Sequence, residues 1–265
     1  MANSIAITYL GQEGFLFQHD GISVAIDPYL SYSGDLAPGS PENFWRRNYP
    51  PPVLPSEMVN VDLVLCTHDH LDHTDPETLL GIADASPRCD FAGPRSSVAT
   101  MIRAGLSPDR VRTLNAGEPF SFGGATIHPI AAAHEEYERD AGGYHRYLGY
   151  VLVWNGITIY HAGDTIPTDQ LRTDVGRFEI DLGFLPINGR DAARRELGIV
   201  GNMTCEEAAE FATSQGFGMA VPMHYDLYSN NGGSLSEFVA FLEQKGQAFK
   251  AFAPGEQIIH PFPKR

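Results

Sequence analysis

Short apolar runs bounded by glycine, proline and polar turns recur along the 265 residues of this chain. That spacing belongs to strands separated by brief helices rather than to long helices. Ser4–Tyr9 and Phe15–Phe17 read as strands separated by the turn Gly11-Gln12-Glu13-Gly14, and Ile22–Ile26 as a third that ends at Asp27-Pro28. Residues 31–57, with Gly34, Pro38, Pro41 and Pro50-Pro51-Pro52, form a long irregular segment, a kind that often serves as a lid. Val61–Cys66 is apolar enough for a buried strand. Asp75-Pro76-Glu77 then opens a helix to about Ala85, with an N-cap carboxylate and a proline at the first helical position.

A strand, helix, strand rhythm follows: Asp90–Ala92, a helix around Ser97–Ala104, then Val111–Leu114. Ala125–Ala133, Gly149–Trp154 and Ile157–His161 read as strands, the last two joined by Asn155-Gly156, a hairpin signal because both residues accept left-handed backbone. Asp181–Leu185 and Met219–Met223 are further strands. Thr204-Cys205-Glu206-Glu207 has the capping-box form and starts a helix to about Gln215, and Ser236–Gln244 is an amphipathic helix. Phe249–Phe252 and Gln257–Ile259 return to strand. No linker, composition shift or low-complexity run interrupts the chain. A β-rich, helix-punctuated half appears twice, so residues 1–265 are expected to form one domain of two β/α halves.

The chemistry lies at the ends of four of these strands. Thr67-His68-Asp69-His70-Leu71-Asp72-His73 follows the buried run Val61–Cys66 and packs three histidines and two aspartates together. His134 follows Ala125–Ala133, Asp164 follows Ile157–His161 within His161-Ala162-Gly163-Asp164-Thr165, and His224 follows Ala220-Val221-Pro222-Met223. Imidazoles and carboxylates at this density suit a divalent ion, which satisfies lone pairs that would each need a separate partner. Parallel strands present their C-terminal ends on one sheet edge, where ligands bind. His68, His70, Asp72, His73, His134, Asp164 and His224 are therefore expected to converge on one pocket. Seven nitrogen and oxygen ligands exceed the need of one tetrahedral ion; two ions bridged by Asp164 and a water account for all of them.

In order and spacing these residues resemble the metallo-β-lactamase superfamily, whose signature is H-x-H-x-D-H followed by a distant histidine, a bridging aspartate and a final histidine. Within that superfamily, Cys66-Thr67-His68-Asp69-His70-Leu71-Asp72-His73, Pro186-Ile187-Asn188-Gly189-Arg190-Asp191, Gly201-Asn202-Met203 and Pro222-Met223-His224-Tyr225-Asp226 resemble the L-ascorbate-6-phosphate lactonase-like branch. The resemblance implies an α/β fold, a four-layered αβ/βα sandwich with a dinuclear site at one edge. It places His68, His70 and His134 on one ion, Asp72, His73 and His224 on the other, and Asp164 between them. Manganese follows from the lactonase resemblance; zinc follows from the richness in imidazole. An aspartate at the position of Asp27 supports the histidine loop in this superfamily, a common need of ligand histidines.

Around that set, Gly11 and Gly14 are expected to form a tight turn near the pocket, and His161 to act as a supporting or structural residue. His128, His145 and His260 are expected to have no metal role. Arg190, Arg194 and Arg195 offer forks suited to an anion, with a solvated helix face beside Asp191 and Glu196 as the equal alternative. Asn188, Asn202 and Tyr225 are candidate substrate donors, and residues 135–147 a candidate second lid.

Charge narrows the partners. A formal net charge of −15 argues against nucleic acid and anionic membranes and says nothing specific about substrate; the lactonase resemblance and the arginine cluster make a small, anionic molecule the expected substrate, and a homo-oligomer is compatible with the sequence. Three widely spaced cysteines, Cys66, Cys89 and Cys205, suggest reduced thiols and a cytoplasmic protein. The first residues lack the pattern of a signal peptide, and no apolar stretch reaches the roughly 20 residues of a bilayer span. Two ions about 3.5–4 Å apart would bring a bridging water's pKa toward neutrality, with Asp72 orienting the nucleophile and shuttling its proton. The expected activity is opening of a sugar-acid lactone, phosphorylated or not. The alternative is a phosphodiesterase on a small cyclic or diester phosphate; a β-lactamase and a vestigial metal-binding protein rank below both.

Overall fold

The computed structural model describes residues 4–36 and 44–261; Pro38 and Pro41 of the irregular segment lie outside the described residues. The strands are β1 (Ser4–Gly11), β2 (Gly14–His19), β3 (Ile22–Ile26), β4 (Leu63–Leu65), β5 (Asp90–Gly93), β6 (Val111–Thr113), β7 (Phe120–Phe122), β8 (Ala125–Ala131), β9 (Leu148–Trp154), β10 (Ile157–His161), β11 (Leu182–Pro186), β12 (Met219–Met223) and β13 (Gln257–Pro261). The helices are α1 (Pro76–Ala85), α2 (Arg95–Ala104), α3 (Asp169–Val175), α4 (Ala192–Glu196), α5 (Cys205–Ser214) and α6 (Leu235–Lys245). They fall into two compact units. The described residues of the first lie within 4–36, 44–114, Leu227–Asn230 and 253–261; the second comprises Asn115–Asp226 and Asn231–Phe252.

The first unit is built on a seven-stranded sheet in the order β13-β1-β2-β3-β4-β5-β6. β13, β1, β2 and β3 form an antiparallel meander, and β3 to β6 run parallel. Leu79, Ile82 and Ala83 of α1 and Met101 of α2 pack with Val64, Cys66 and Phe91 in one buried cluster. α1 starts as its sequence dictates: the Asp75 side chain accepts from the Glu77 and Thr78 backbone N–H groups. The parallel pairing of β3 with β4 sets Ile26 opposite Leu65, and the Asp27 N–H continues the ladder to Leu65 O at 2.9 Å. The residues after both strands are thereby neighbours. The described part of the irregular segment is tied down: the buried Arg47 donates through Nη1 to Tyr29 O and Ser31 O, and Asn48 N donates to Leu227 O.

The second unit carries a six-stranded sheet in the order β12-β11-β10-β9-β8-β7. β9 is antiparallel to β8 and β10, while β10, β11 and β12 are mutually parallel. β8, β10, β11 and β12 thus run the same way and end on one edge of the sheet. The β9–β10 hairpin turns through Asn155 (φ 47°) and Gly156 (φ 104°), the left-handed pair that a two-residue turn of this twist requires. α5 opens on a capping box, Thr204 and Glu207 each bonding the other's backbone.

Three differences from the sequence reading stand out. Phe249–Phe252 is not a strand: a single parallel bridge joins Phe249 to Ala220 before the chain turns at Pro254-Gly255. β7 and α3 arise where no element was expected, one only three residues long and the other started by the Thr168 side chain accepting from Leu171 N. Among the described residues no helix is long and apolar enough to cross a membrane.

Candidate metal centre

The histidine loop of the first unit hangs on Asp27. This fully buried carboxylate accepts Thr67 N–H at 2.7 Å and Thr67 Oγ1–H at 2.5 Å, and lies 2.8 Å from His73 Nδ1. A neutral His73 donates Nδ1–H to it, which puts the lone pair on Nε2, the atom that can bind an ion. The Thr67 hydroxyl gives its proton to Asp27 and can therefore accept from His68 Nδ1 at 3.0 Å, directing the His68 lone pair to Nε2 as well. One carboxylate thus sets two tautomers. His68 Nε2 and His70 Nδ1 approach to 2.9 Å, and the Thr74 hydroxyl closes the loop onto His68 O. Asp72 Oδ2 accepts from Gln12 Nε2 at 2.8 Å and sits 3.8 Å from His73 Nε2. The fully buried Glu13 reaches within 3.9 Å of His73 Nδ1.

In the second unit the strand ends gather two histidines around Asp164. His134 Nε2 lies 3.4 Å from its Oδ2 and His224 Nε2 3.9 Å from its Oδ1. Each oxygen of one buried carboxylate therefore faces a different imidazole. Asn202 Nδ2 donates to Asp164 Oδ1 at 2.7 Å and to Asn188 Oδ1 at 3.0 Å, and Asn188 Nδ2 donates to Asn231 Oδ1 at 3.0 Å. This line of amides fixes the carboxylate's orientation. Ala133 N donates to Thr165 Oγ1 and Ile166 N to Ala133 O, lacing together the ends of β8 and β10. His161 is buried, accepts from Gly163 N–H through Nδ1 at 3.3 Å and stacks on Phe184.

Residues 23–225 match the family model described as beta-lactamase superfamily domain. The chain belongs to the β-lactamase superfamily. A UPF0173 metal-dependent hydrolase from Exiguobacterium sp. is 29% identical over 245 residues, covering 91% of this chain and 94% of that protein. The isothiocyanate hydrolase from Delia radicum gut bacteria superposes with a TM-score of 0.75 at 21% identity, over 97% of this chain and 99% of that one. A metallo hydrolase from Ignicoccus hospitalis gives 0.73 at 22%, over 98% and 100%. The α/β fold of metallo-β-lactamase type expected from the sequence is the fold of this superfamily member.

The donor set fits divalent ions. His68, His70, Asp72 and His73 within the first unit, and His134, Asp164 and His224 within the second, are candidate ligands of the types that hold a metal. Mostly buried imidazoles beside the buried Asp164 and the half-buried Asp72 suit zinc or manganese and are costly to bury without a counterpart. Gln12 and Glu13 were invisible as site residues in the sequence; the only signal was a polar pair inside a glycine-flanked turn.

The three candidate substrate donors and the arginine cluster have internal partners in this superfamily member. Asn188 and Asn202 serve Asp164. Tyr225 donates its hydroxyl to Phe252 O at 2.6 Å. Arg190 places both arms of its fork 2.6 Å from the two Glu207 oxygens and also reaches Asn202 O. Arg194 meets Asp191, and Arg195 meets Glu135. The Glu207 hydrogen bond raises the Arg190 pKa. Burial pushes the Glu207 carboxyl up, but bonds from Arg190 and Thr204 more than offset it and hold it below the usual range. The geometry matches the helix-face alternative, in which the arginines are already neutralised.

Proposed function

We propose that this chain is a dinuclear metal-dependent hydrolase that opens a lactone of the sugar-acid kind. The observation that carries the reading is the two-faced Asp164, its oxygens directed at different imidazoles, as a carboxylate shared by two ions would be. His68, His70 and His134 would hold one ion, and Asp72, His73 and His224 the other. Bound there, divalent ions would supply a water activated near neutral pH and an electrophilic pull on the substrate carbonyl. Asp27 and Thr67 hold the histidines in the ligating tautomer. Asn202 keeps Asp164 aimed. Asp72, steadied by Gln12, takes the nucleophile's proton and returns it to the leaving alkoxide as the ring C–O bond breaks.

The arginines around α4 each meet a carboxylate, and the net charge of −15 disfavours a polyanion. Both support a lactone carbonyl over a phosphate diester. The test loads the protein with zinc or manganese and follows proton release from a panel of sugar and acyl lactones beside cleavage of bis(p-nitrophenyl) phosphate. Turnover of lactones that stops with chelator, returns with metal and falls to background in Asp164→Ala is expected. Cleavage of the diester without any lactone turnover would replace this reading by a phosphodiesterase. Bound metal without turnover of either would indicate a vestigial site.

A further inference from the structure

Among the described residues seven other than glycine take positive φ, a conformation that L side chains adopt where the surroundings enforce it. Asp20, Asn60 and Asn155 do so in exposed turns, and aspartate and asparagine tolerate it there. The other four, Gln12 (φ 56°), Asp27 (φ 44°), Glu135 (φ 62°) and His224 (φ 57°), are buried or half-buried. Each stands on or beside a candidate ligand of its own unit. Gln12 bonds Asp72, Asp27 bonds His73, and His224 is itself a candidate ligand. Glu135 directly follows His134 in the chain. Strained backbone of this kind clusters at functional sites.

The Glu135 carboxylate reaches distant parts of the second unit. Its Oε1 accepts the Gly201 N–H at 3.1 Å, and its Oε2 accepts from Arg195 Nη2 at 3.0 Å. The Arg195 side chain is 63% exposed, and an ion pair so open to water contributes little. The bond to Gly201 differs, because Gly201 belongs to a pinned segment. Asn202 N donates to Gly189 O at 3.1 Å, Gly189 N to Met203 O at 2.9 Å and Met203 N to Thr165 O at 3.1 Å. A Cβ at position 201 would stand 2.1 Å from Arg190 Cβ and 2.9 Å from Gly189 O, so only glycine lets the segment press in this closely. That segment presents Asn202, whose Nδ2 meets Asp164 Oδ1 at 2.7 Å.

His134 is therefore anchored through both of its chain neighbours. On one side Ala133 N donates to Thr165 Oγ1 and Ala133 O accepts from Ile166 N, which ties it to the residues just after Asp164. On the other side Glu135 ties it to the residue just before Asn202. Between two such anchors the His134 backbone has little freedom to move relative to Asp164, whose Oδ2 lies 3.4 Å from His134 Nε2. Both Glu135 oxygens serve protein donors, and among the described residues no group able to hold a metal includes it.

We propose that Glu135 is a positioning residue for the second unit's candidate ligands. Its bond to Gly201 sets His134 at its distance from Asp164 and keeps Asn202 against that carboxylate. The inference rests on the metal-dependent reading and is indifferent to whether the substrate is a lactone or a phosphate diester. A supporting group of this kind arranges the ligands beforehand, so that binding an ion need not order them. Reach, rather than charge, is what the role demands.

Cobalt(II) loading of the full chain tests it, with chelator competition reading affinity and the visible spectrum of bound cobalt reading geometry. Glu135→Asn and Glu135→Asp both accept the left-handed backbone but are one methylene too short for Gly201. Each should weaken cobalt binding by about 10- to 100-fold and alter the spectrum. Glu135→Gln loses the charge but keeps the reach and an acceptor oxygen, and should stay near wild type, as should Glu136→Gln at the exposed neighbour. If the asparagine variant does not fold, the aspartate variant, which retains the charge, gives the same reading. Wild-type affinity and spectrum in both shortened variants overturn the positioning role, even where the metal-free protein melts lower. A loss in Glu135→Gln with Glu135→Asp spared also overturns it, because the ion pair with Arg195 would then be the operative contact. Wild-type protein that takes up no cobalt overturns the metal-dependent reading, and this inference with it.

Discussion

Asp27 sits in the left-handed region, with φ 44°, a conformation costing a non-glycine residue about 1–2 kcal/mol. What offsets that cost is its set of partners: a backbone amide, a threonine hydroxyl and the imidazole of His73 on one buried carboxylate. Asp27→Asn keeps the shape but exchanges an acceptor for a donor, so Thr67 and His73 can no longer both be served. Metal affinity measured by chelator competition should fall about 10- to 100-fold; an unchanged affinity would show that tautomer control is dispensable. Arg190 calls for the opposite kind of variant. If its fork serves Glu207 rather than substrate, Arg190→Ala lowers stability by about 1–2 kcal/mol at neutral pH and leaves KM nearly untouched. Glu207 has a lowered pKa when folded, so its contribution is complete above the ordinary glutamate value and is lost as pH falls through the lowered one. Urea unfolding of wild type and variant should therefore converge in acid. A raised KM at unchanged stability would restore the anion clamp.

At the scale of elements, the strand β9 matters through what it lacks. A Cβ on Gly149 would stand 2.7 Å from Ala162 O and 2.9 Å from His161 O, atoms of the backbone at the end of β10 that leads into Asp164. Gly149→Ala should force that end outward, costing about 1–3 kcal/mol and lowering metal content, whereas Val153→Thr on the exposed side of the same strand should change neither. Thermal melting with metal analysis separates the two. Elements with local signals were legible in the sequence: the Asn155-Gly156 hairpin, the Asp75-Pro76 helix start and the Thr204 capping box each act within a few residues. Phe249–Phe252 misled because β-prone residues form a strand only where a partner edge accepts them, and here one bridge is all that β12 takes. β7 and α3 are too short to show a period.

Across the whole molecule, the candidate ligands could be picked out because each follows a strand that the apolar pattern marks. The supporting groups were not. Gln12 meets Asp72 across 60 residues and Asn202 meets Asp164 across 38, pairings that depend on how strands are ordered in each sheet. The second unit gathers His134, Asp164 and His224 by itself, and the first gathers His68, His70, Asp72 and His73.

The pairing of β13 with β1, from Ser4 opposite Pro261 to Thr8 opposite Gln257, has a consequence for biosynthesis. β1 finds its outer neighbour only in β13, which is translated long after it. Until then the emerging polypeptide on the ribosome shows a strand edge with its hydrogen-bonding groups exposed, the kind of edge that recruits other strands. A messenger stopped after Phe252 is expected to yield protein that pellets as aggregates, while the uninterrupted message at the same expression level yields protein in the supernatant. If the shortened product stays in the supernatant and melts as cooperatively as the full chain, β13 is not what shields that edge.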